Sequence, residues 1–292
     1  MNAVRKVLPA HLQKQKEEKR KITMLSIYDY AIALLADRAG LDTILVGDSL
    51  AMTALGYDST VAVTLDEMLH HTRAVSRAAK RAMVVADMPF MSYQVSIEEA
   101  VRNAGRFLKE AGADAVKVEG GRTIVPTLAA IYNAGIPVIG HIGLTPQSAA
   151  QLGGLKVQGG DAGAAMRLVE DAMALEAAGA FAVILECVPR DVARLITERL
   201  RVPTISYGAG VHCDGQGLVS ADILGLFEQF TPRFAKRYVD LAPQISGAFQ
   251  SYCAEVVAGT FPDAEHSYGI NAAELEKLER ALASGTRGSE TQ

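Results

Sequence analysis

The sequence is poor in cysteine, and it has no long hydrophobic run. Only three cysteines occur among 292 residues, at Cys187, Cys213 and Cys253. Their odd number and wide spacing argue against a disulfide framework or a cysteine metal site, and they fit a reducing compartment. No apolar stretch approaches the roughly 20 residues that a membrane span requires. We therefore expect a cytoplasmic protein without a membrane segment.

The chain also lacks an excess of positive charge. Its formal net charge is −4, which gives no reason to expect nucleic acid or an anionic membrane as a partner. The N-terminal segment is basic, but it contains Glu17 and Glu18 and has no continuous apolar core. This segment therefore predicts a surface helix rather than a secretory signal.

Short apolar runs, rich in Val, Ile and Leu, recur along the chain and end in a functional side chain. They end at Asp29, Asp48, Asp87, Glu119, His141 and Glu186. Most are followed by helical spacing, a pattern that is typical of buried parallel strands. An ionisable group at the end of a buried strand is costly unless it has a partner or a purpose. The pattern therefore predicts one shared pocket at one end of a parallel sheet.

Seven or eight such strand–helix units predict either a closed (β/α)8 TIM barrel or an open doubly wound sheet. The functional groups come from strands one to six in turn, and only closure brings those strand ends together, so we favour the barrel. The seventh strand is predicted near residues 202–207 and a weaker eighth from Ile223 to Phe227. A long terminal helix, or two, is predicted over 232–258.

The length fits one domain over residues 1–283, with an N-terminal helix before the barrel and helices after it. The polar tail, 284–292, is predicted to be disordered.

Three of the acids, Asp48, Asp87 and Glu119, end neighbouring strands. Adjacent parallel strands lie about 4.8 Å apart, so these carboxylates converge closely enough to share a cation. Without one they would repel each other and raise each other's pKa values. Oxygen ligands suit a hard ion, Mg²⁺ first and Mn²⁺ second. The alternative is that individual acids cap helices or pair with lysine or arginine.

Three further side chains complete the predicted site. Lys117 lies two residues before Glu119 and so shares its face of the strand. We predict that it holds a substrate carboxylate or an enolate oxygen. The alternative is a simple salt bridge with Glu119. Glu186, across the barrel, is predicted to be a base, with a fourth ligand or an arginine partner as the alternatives. His141 lies between these groups, as a substrate-binding or catalytic residue or as a structural one.

Ordered motifs between about residues 11 and 268 resemble those of the ketopantoate hydroxymethyltransferase family. They include Val46-Gly-Asp-Ser-Leu50, Asp87-Met-Pro-Phe-Met-Ser-Tyr93, Val116-Lys-Val-Glu-Gly-Gly121, Gly140-His-Ile-Gly-Leu-Thr-Pro-Gln-Ser148 and Leu185-Glu-Cys-Val-Pro189. The resemblance implies a barrel of the phosphoenolpyruvate mutase/isocitrate lyase type. It also implies hydroxymethyl transfer from 5,10-methylenetetrahydrofolate to 3-methyl-2-oxobutanoate. The product would be 2-dehydropantoate, an intermediate of pantothenate biosynthesis, formed through a Mg-stabilised enolate. Family members are homo-oligomers, commonly decamers.

The same resemblance implies roles for individual residues. Positions matching Asp48, Asp87 and Glu119 hold Mg²⁺ in the family. Positions matching Asp48, Ser49, Asp87 and Lys117 contact the keto acid, and the position matching Glu186 is the proton acceptor. We therefore expect Glu186 to be catalytic here and the other side chains, with His141, to hold the substrate and the metal.

The main alternative is a carbon–carbon lyase or mutase of the same barrel superfamily. Such lyases typically carry a Lys-Xaa-Cys-Gly-His loop, and no such string occurs in this sequence. A non-catalytic binding protein is a second alternative, against which the full set of acids argues. Departures from the family pattern at Ala51, Ser206, Tyr207 and Ala221 bear on the folate side and the eighth strand rather than on the acids.

Overall fold

The computed structural model describes residues 5–285 and contains a closed, all-parallel barrel within them. Its strands are β1 Ile22–Ser26, β2 Thr43–Val46, β3 Met83–Asp87, β4 Ala115–Glu119, β5 Val138–Gly143, β6 Ala182–Glu186, β7 Thr204–Tyr207 and β8 Gly215–Val219. Each strand pairs with the next along the chain, and β8 pairs with β1. The predicted barrel is therefore confirmed, and the open sheet is excluded.

Helices connect the strands and continue beyond them. They are α1 Pro9–Glu17, α2 Tyr30–Arg38, α3 Leu50–Thr53, α4 Leu65–Ala78, α5 Ile97–Lys109, α6 Val125–Asn133, α7 Ala149–Leu152, α8 Ala162–Ala177, α9 Arg190–Arg199, α10 Ser220–Ile223, α11 Ala242–Ala258 and α12 Ala272–Gly285. Single 3₁₀ turns occur at Thr60–Ala62, Arg122–Ile124 and Pro146–Ser148.

Side-chain caps begin several of these helices. At α4 the Thr64 hydroxyl accepts a hydrogen bond from the Glu67 backbone N–H at 3.2 Å, and the Glu67 carboxylate accepts one from the Thr64 backbone N–H at 2.8 Å. At α5 the Ser96 hydroxyl accepts from the Glu99 backbone N–H at 3.1 Å. Such caps contribute about 1 kcal/mol each, and their local signature explains why these helix starts are predictable from sequence.

The barrel separates two apolar cores, one between strands and helices and one inside the barrel. In β4, Val116 and Val118 belong to the outer core, whereas Ala115 belongs to the inner one. The inner core includes Leu12 of α1, which is fully buried beside residues of β1 such as Ile22. Helix α1 therefore closes the amino end of the barrel and leaves the carboxyl end for polar side chains.

The prediction of the eighth strand over Ile223–Phe227 is wrong. The strand is Gly215–Val219, and Ile223 instead ends the short helix α10. An added Cβ at Gly217 would lie 2.0 Å from Tyr207 Cε2, and one at Gly215 would lie 2.5 Å from Ile205 Cδ1. Side chains of β7 fill this part of the barrel, so β8 needs glycine and lacks the apolar run by which the other strands are recognised.

Two smaller boundaries also differ from the predictions. Strand β1 ends at Ser26, and Asp29 lies beyond it as the N-cap of α2, where its carboxylate accepts a hydrogen bond from the Ile32 backbone N–H at 2.9 Å. Helix α11 begins at Ala242 rather than near residue 232, with a proline in its first turn. Proline is favoured there because its missing N–H is not needed by the helix.

The chain forms two compact units, the first ending at Val239 and the second beginning at Asp240. The first contains the barrel, and the second contains α11 and α12. The single domain over residues 1–283 stays a prediction. Helix α12 extends to Gly285, and the rest of the predicted disordered tail lies outside the described residues. Among the helices of residues 5–285, none is long and apolar enough to cross a bilayer.

The closure of the barrel by α1 predicts unequal effects of two leucine truncations. Leu12→Ala should lower the free energy of unfolding by about 2–5 kcal/mol, because Leu12 is fully buried and its removal leaves a cavity. The matched Leu35→Ala, at a side chain that is 60% exposed on α2, should change it by no more than about 0.5 kcal/mol. Urea titrations followed by circular dichroism measure both, and equal effects would contradict the role of α1.

Candidate active site

Three buried carboxylates meet at the carboxyl end of the barrel. Asp87 and Glu119 are the last residues of β3 and β4, and Asp48 follows β2 by two residues. One oxygen from each of the three lies within 4.8 Å of the others. The Asp48 backbone N–H donates a hydrogen bond to Asp87 Oδ2 at 3.0 Å, which ties the two strand ends together. The structure therefore brings these predicted acids into one cluster.

Lys117 lies in the middle of this cluster. Its Nζ is 2.9 Å from Asp87 Oδ1 and 3.0 Å from Glu119 Oε1. Burial alone would lower the pKa of Lys117, but Asp87, Glu119 and Asp48 together raise it well above its usual range. The surrounding acids therefore favour the charged form of Lys117, and its predicted pairing with Glu119 is part of a larger network.

The carboxylates differ in how easily they ionise. Burial, followed by the charges of Asp87 and Glu119, raises the pKa of Asp48 well above its usual range. Burial also raises the pKa of Asp87, against the opposing effect of Lys117. Burial acts in the same direction on Glu119, but Lys117 and His141 outweigh it and lower the pKa of Glu119 to about 2. Ionisation is therefore favourable for Glu119, whereas burial makes the charged forms of Asp48 and Asp87 less favourable than in water.

The donor set fits a divalent cation. Three carboxylates face one ammonium group, which leaves an excess of negative charge in a buried place. Asp87 Oδ1 finds no partner of good hydrogen-bond geometry among the described residues, although Lys117 is close. Carboxylate oxygens are the ligands that hard ions such as Mg²⁺ prefer. A divalent ion would relieve the repulsion that raises the pKa of Asp48.

Gln147 and Tyr93 hold the acids in place, and our reading of the sequence assigned neither a role. The Gln147 amide nitrogen donates to Asp48 Oδ2 at 3.0 Å, and its backbone N–H donates to Glu119 Oε2 at 3.1 Å. The Tyr93 hydroxyl lies 2.8 Å from Gln147 Oε1 and accepts a hydrogen bond from the Glu119 backbone N–H at 3.0 Å. Tyr93 lies in a loop and Gln147 lies in the 3₁₀ turn Pro146–Ser148, both within motifs quoted above, but only the folded chain shows what they contact.

His141 joins the acid cluster to Glu186. Its Nδ1 lies 3.1 Å from Lys117 Nζ and 3.2 Å from Glu119 Oε1, and its Nε2 lies 3.3 Å from Glu186 Oε2. Burial and Lys117 lower the pKa of His141, but Glu119 and Glu186 outweigh them and raise it. His141 Nε2 finds no partner of good hydrogen-bond geometry among the described residues, although the Glu186 carboxylate, whose side chain is 19% exposed, is close.

Ser49 lies at the edge of the same site, and the first strand contributes less than predicted. The Ser49 hydroxyl is 2.8 Å from the Tyr28 hydroxyl. Tyr28 is buried and supports Ser49, whereas Asp29 is exposed and caps α2. Asp29 therefore does not join the shared pocket, because the chain has already turned into its helix.

Two adjoining cavities open at this end of the barrel. The inner cavity, of about 120 Å³, is lined by the acids, Lys117, His141 and Glu186 among others. The outer one, of about 670 Å³, is lined mainly by apolar and aromatic side chains. Glu186, Ser49 and Asp222 line both cavities. The site therefore offers a small polar compartment beside a larger apolar one.

Of the positions that depart from the family pattern, Tyr207 reaches the inner cavity. Its hydroxyl lies 3.2 Å from Ser26 Oγ, and the side chain is buried. Ser206 is also buried, and its hydroxyl accepts a hydrogen bond from the Ala209 backbone N–H at 2.9 Å. Ala51 is buried in the outer apolar core. The Ala51 backbone N–H donates a hydrogen bond to the Asp48 carbonyl oxygen at 2.9 Å, and Tyr207 lines the inner cavity beside the acids.

Comparison with known proteins identifies relatives over most of the chain. A family model described as ketopantoate hydroxymethyltransferase matches residues 6–264. The 3-methyl-2-oxobutanoate hydroxymethyltransferase of Moorella thermoacetica (strain ATCC 39073 / JCM 9320) is 60% identical over 257 residues, covering 88% of this chain and 96% of the relative. The protein of the same name from Syntrophus aciditrophicus (strain SB) is 58% identical over 264 residues, covering 90% and 97%.

Solved structures resemble the fold at low sequence identity. A phosphonopyruvate hydrolase has a TM-score of 0.57 at 15% identity, covering 96% of this chain and 98% of that one. A 2,3-dimethylmalate lyase, described as a member of the PEP mutase/isocitrate lyase superfamily, has a TM-score of 0.54 at 16% identity, covering 96% and 99%. These likenesses concern the fold alone, and they show that this chain has the same kind of barrel as these two proteins.

The charge of the cluster predicts that removing one carboxylate stabilises the metal-free protein and weakens cation binding. A raised carboxyl pKa means that the metal-free protein loses stability as the pH rises from the unfolded value of about 4 through the folded value. Asp48→Asn should therefore raise the melting temperature of the metal-free protein at pH 7. It should also abolish the further rise that Mg²⁺ gives the unchanged protein.

Differential scanning calorimetry with EDTA and then with excess Mg²⁺ measures both effects. Asp58→Asn, at an exposed acid outside the cluster, is the matched control and should keep the Mg²⁺ response. An unchanged Mg²⁺ response in Asp48→Asn would contradict the assignment of Asp48 to the cation site.

Proposed function

The chain belongs to the ketopantoate hydroxymethyltransferase family, and we propose that it transfers a hydroxymethyl group from 5,10-methylenetetrahydrofolate to 3-methyl-2-oxobutanoate. The chain is a transferase, and the product, 2-dehydropantoate, belongs to pantothenate biosynthesis. The observation that carries the proposed chemistry is the pairing of an acid cluster with Glu186 around one small cavity. That arrangement suits removal of a proton next to a carbonyl group.

Asp48, Asp87 and Glu119 would hold Mg²⁺ at the wall of the inner cavity. When bound there, the ion would supply polarisation of the keto group, which would make the hydrogen on the next carbon more acidic. The choice of Mg²⁺ is supported by the all-oxygen donor set and by the buried excess of negative charge.

The chain's own polar groups would orient the keto acid beside that ion. The Lys117 ammonium lies against two of the acids and can face a developing enolate oxygen, where a fixed positive charge is most effective. The Ser49 hydroxyl, supported by Tyr28, can donate to the keto acid carboxylate. Asp48, Asp87 and His141 complete the wall. Donors already fixed in a buried site cost little reorganisation during the reaction.

Glu186 is the proposed base. It lines the inner cavity opposite the acid cluster, and His141 lies between them with its Nε2 3.3 Å from Glu186 Oε2. A carboxylate oriented in this way can take the hydrogen from carbon 3 of the keto acid and leave an enolate. The enolate carbon then bonds to the one-carbon unit that the folate donates.

The outer cavity is the proposed folate site. Its aromatic side chains, Phe227, Phe230 and Phe234, suit the flat pterin and aminobenzoate rings. Lys156 and Arg233 also line it, and their charges suit the carboxylates of the glutamate tail. The larger volume supports this division, because a pterin needs more room than the inner cavity has.

We also propose that the chain forms a homo-oligomer, a decamer in keeping with the family resemblance, in the cytoplasm. Along α11, Ile245, Phe249, Tyr252 and Val256 recur at a spacing that places them on one helix face, which suits packing against a second copy. The free cysteines support a reducing compartment. Light scattering coupled to gel filtration measures the mass, and a monomer would contradict the oligomer.

A lyase or mutase activity has less support. The hydrolase, lyase and mutase structures that resemble this fold are 15–17% identical to this chain, so they are evidence for the fold alone. Relatives with 58% and 60% identity carry the transferase name.

The proposed activity predicts a dependence on folate and on a divalent cation. The purified protein with 3-methyl-2-oxobutanoate, methylenetetrahydrofolate and Mg²⁺ should form 2-dehydropantoate, detected by mass spectrometry. EDTA should abolish product formation, and excess Mg²⁺ should restore it. Product formation without folate from a 2-hydroxy or phosphono acid would instead support the lyase alternative.

The assigned base predicts the loss of one partial reaction. Glu186→Gln should lower the exchange of the carbon 3 hydrogen with deuterated water by about 10²–10⁴-fold, because the amide cannot accept the proton. Calorimetric binding of Mg²⁺ and of the keto acid should persist. Glu198→Gln, at an exposed acid paired with Arg194 on α9, is the matched control. Near-normal exchange in Glu186→Gln would exclude Glu186 as the base.

A further inference from the structure

Asp222 is a buried acid for which the reaction as described above has no use. It belongs to α10, directly after β8, and only 5% of its surface is exposed. Its carboxylate makes no side-chain hydrogen bond to any residue within 5–285. Burial of a carboxyl group without a hydrogen-bond donor costs free energy, so Asp222 is a candidate for a functional role.

The position of Asp222 indicates what that role is. It lines both cavities, as Glu186 does, and so stands where the two proposed substrates meet. Burial raises the pKa of Asp222 to about 6, against the opposing charge of Arg237. The other charged groups that line the outer cavity are Asp58, Lys156, Arg233 and Glu186. The carboxyl group therefore holds its proton far more readily than an exposed aspartate does.

The one-carbon donor needs an acid at this place. In methylenetetrahydrofolate the carbon bridges N5 and N10, so transfer requires both carbon–nitrogen bonds to break. A neutral amine leaves easily only if it receives a proton as its bond breaks. Glu186 is committed to the opposite task, since it must begin as a carboxylate in order to take a proton from the keto acid.

We propose that Asp222 is the general acid that opens the folate ring at the junction of the two cavities. The bond from the methylene carbon to N10 breaks, its electron pair stays on N10, and N10 takes the proton of Asp222. The lone pair of N5 forms a double bond to the carbon, which becomes electrophilic. Asp222 is left as a carboxylate.

Water adds to the electrophilic carbon and gives a proton to Asp222, which restores the acid and leaves a hydroxymethyl group on N5. The bond from that carbon to N5 then breaks, the hydroxyl proton passes to N5, and formaldehyde is released beside the keto acid. The enolate carbon bonds to the formaldehyde carbon, and the resulting alkoxide takes back the proton that Glu186 removed, which completes the hydroxymethyl group. The proposal rests on the proposed function.

The test separates the two acids by measuring two partial reactions on the same variants. Asp222→Asn should lower kcat for hydroxymethyl transfer from methylenetetrahydrofolate by about 10²–10⁴-fold. It should leave the carbon 3 deuterium exchange within about twofold, the reverse of the pattern expected for Glu186→Gln. Asp222→Glu, which keeps an acid, should transfer faster than Asp222→Asn. Asp191→Asn, at an exposed acid on α9, is the control and should keep both reactions.

Three results would overturn the proposal. Unchanged transfer in Asp222→Asn would remove Asp222 from the reaction, and a raised KM for folate with kcat unchanged would make it a binding group only. A parallel loss of exchange and transfer, with a lowered melting temperature, would make it structural. If the unchanged protein itself transferred nothing from methylenetetrahydrofolate, the proposed function would fail instead.

Discussion

The buried excess of negative charge at the carboxyl end of the barrel is the constraint on which the rest of the site depends. Asp48, Asp87 and Glu119 share a space with one ammonium group, Lys117, and with little access to water. Such a cluster is unfavourable by itself, since burial and mutual repulsion raise the pKa of Asp48. The surrounding chain holds the acids together through hydrogen bonds from Gln147 and from the Asp48 backbone N–H, and their oxygens could hold a divalent cation.

The two ends of the barrel have different roles, because one stabilises the fold and the other holds the acid cluster. The amino end is closed by α1 and by ion pairs such as Lys16 with Asp214, 2.8 Å apart. The carboxyl end holds the functional groups, and its loops include Met91 and Cys187, which are non-glycine residues with φ of 65° and 48°. Such backbone costs of the order of 1–3 kcal/mol each, and both residues follow strands that end in site acids.

The two cavities suggest how opposite proton chemistries coexist within one pocket. Glu186, the proposed base, lines the inner cavity with the His141 imidazole beside it. The Asp222 carboxylate makes no side-chain hydrogen bond within the described chain, and burial raises its pKa to about 6, so it is protonated more often than an exposed aspartate. Two carboxyl groups can therefore begin the reaction in opposite protonation states because their surroundings differ. With folate in the outer cavity, as proposed, the separation would also keep it away from the charged cluster.

Much of the barrel and its acids was predictable from the sequence because those signals are local. Most of the strands are short apolar runs, and several helix starts have a side-chain cap. Asp87, Glu119 and Glu186 are the last residues of their strands, and Asp48 follows β2 by two residues. Strand β8 was missed because Gly215 and Gly217 make room for side chains of β7, which is a contact between strands. The contacts of Gln147 and the exposure of Asp222 to both cavities likewise depend on loops meeting across the closed barrel. The order of residues determined which groups reach the carboxyl end, whereas only closure of the barrel decided which of them touch, since those contacts join residues far apart along the chain.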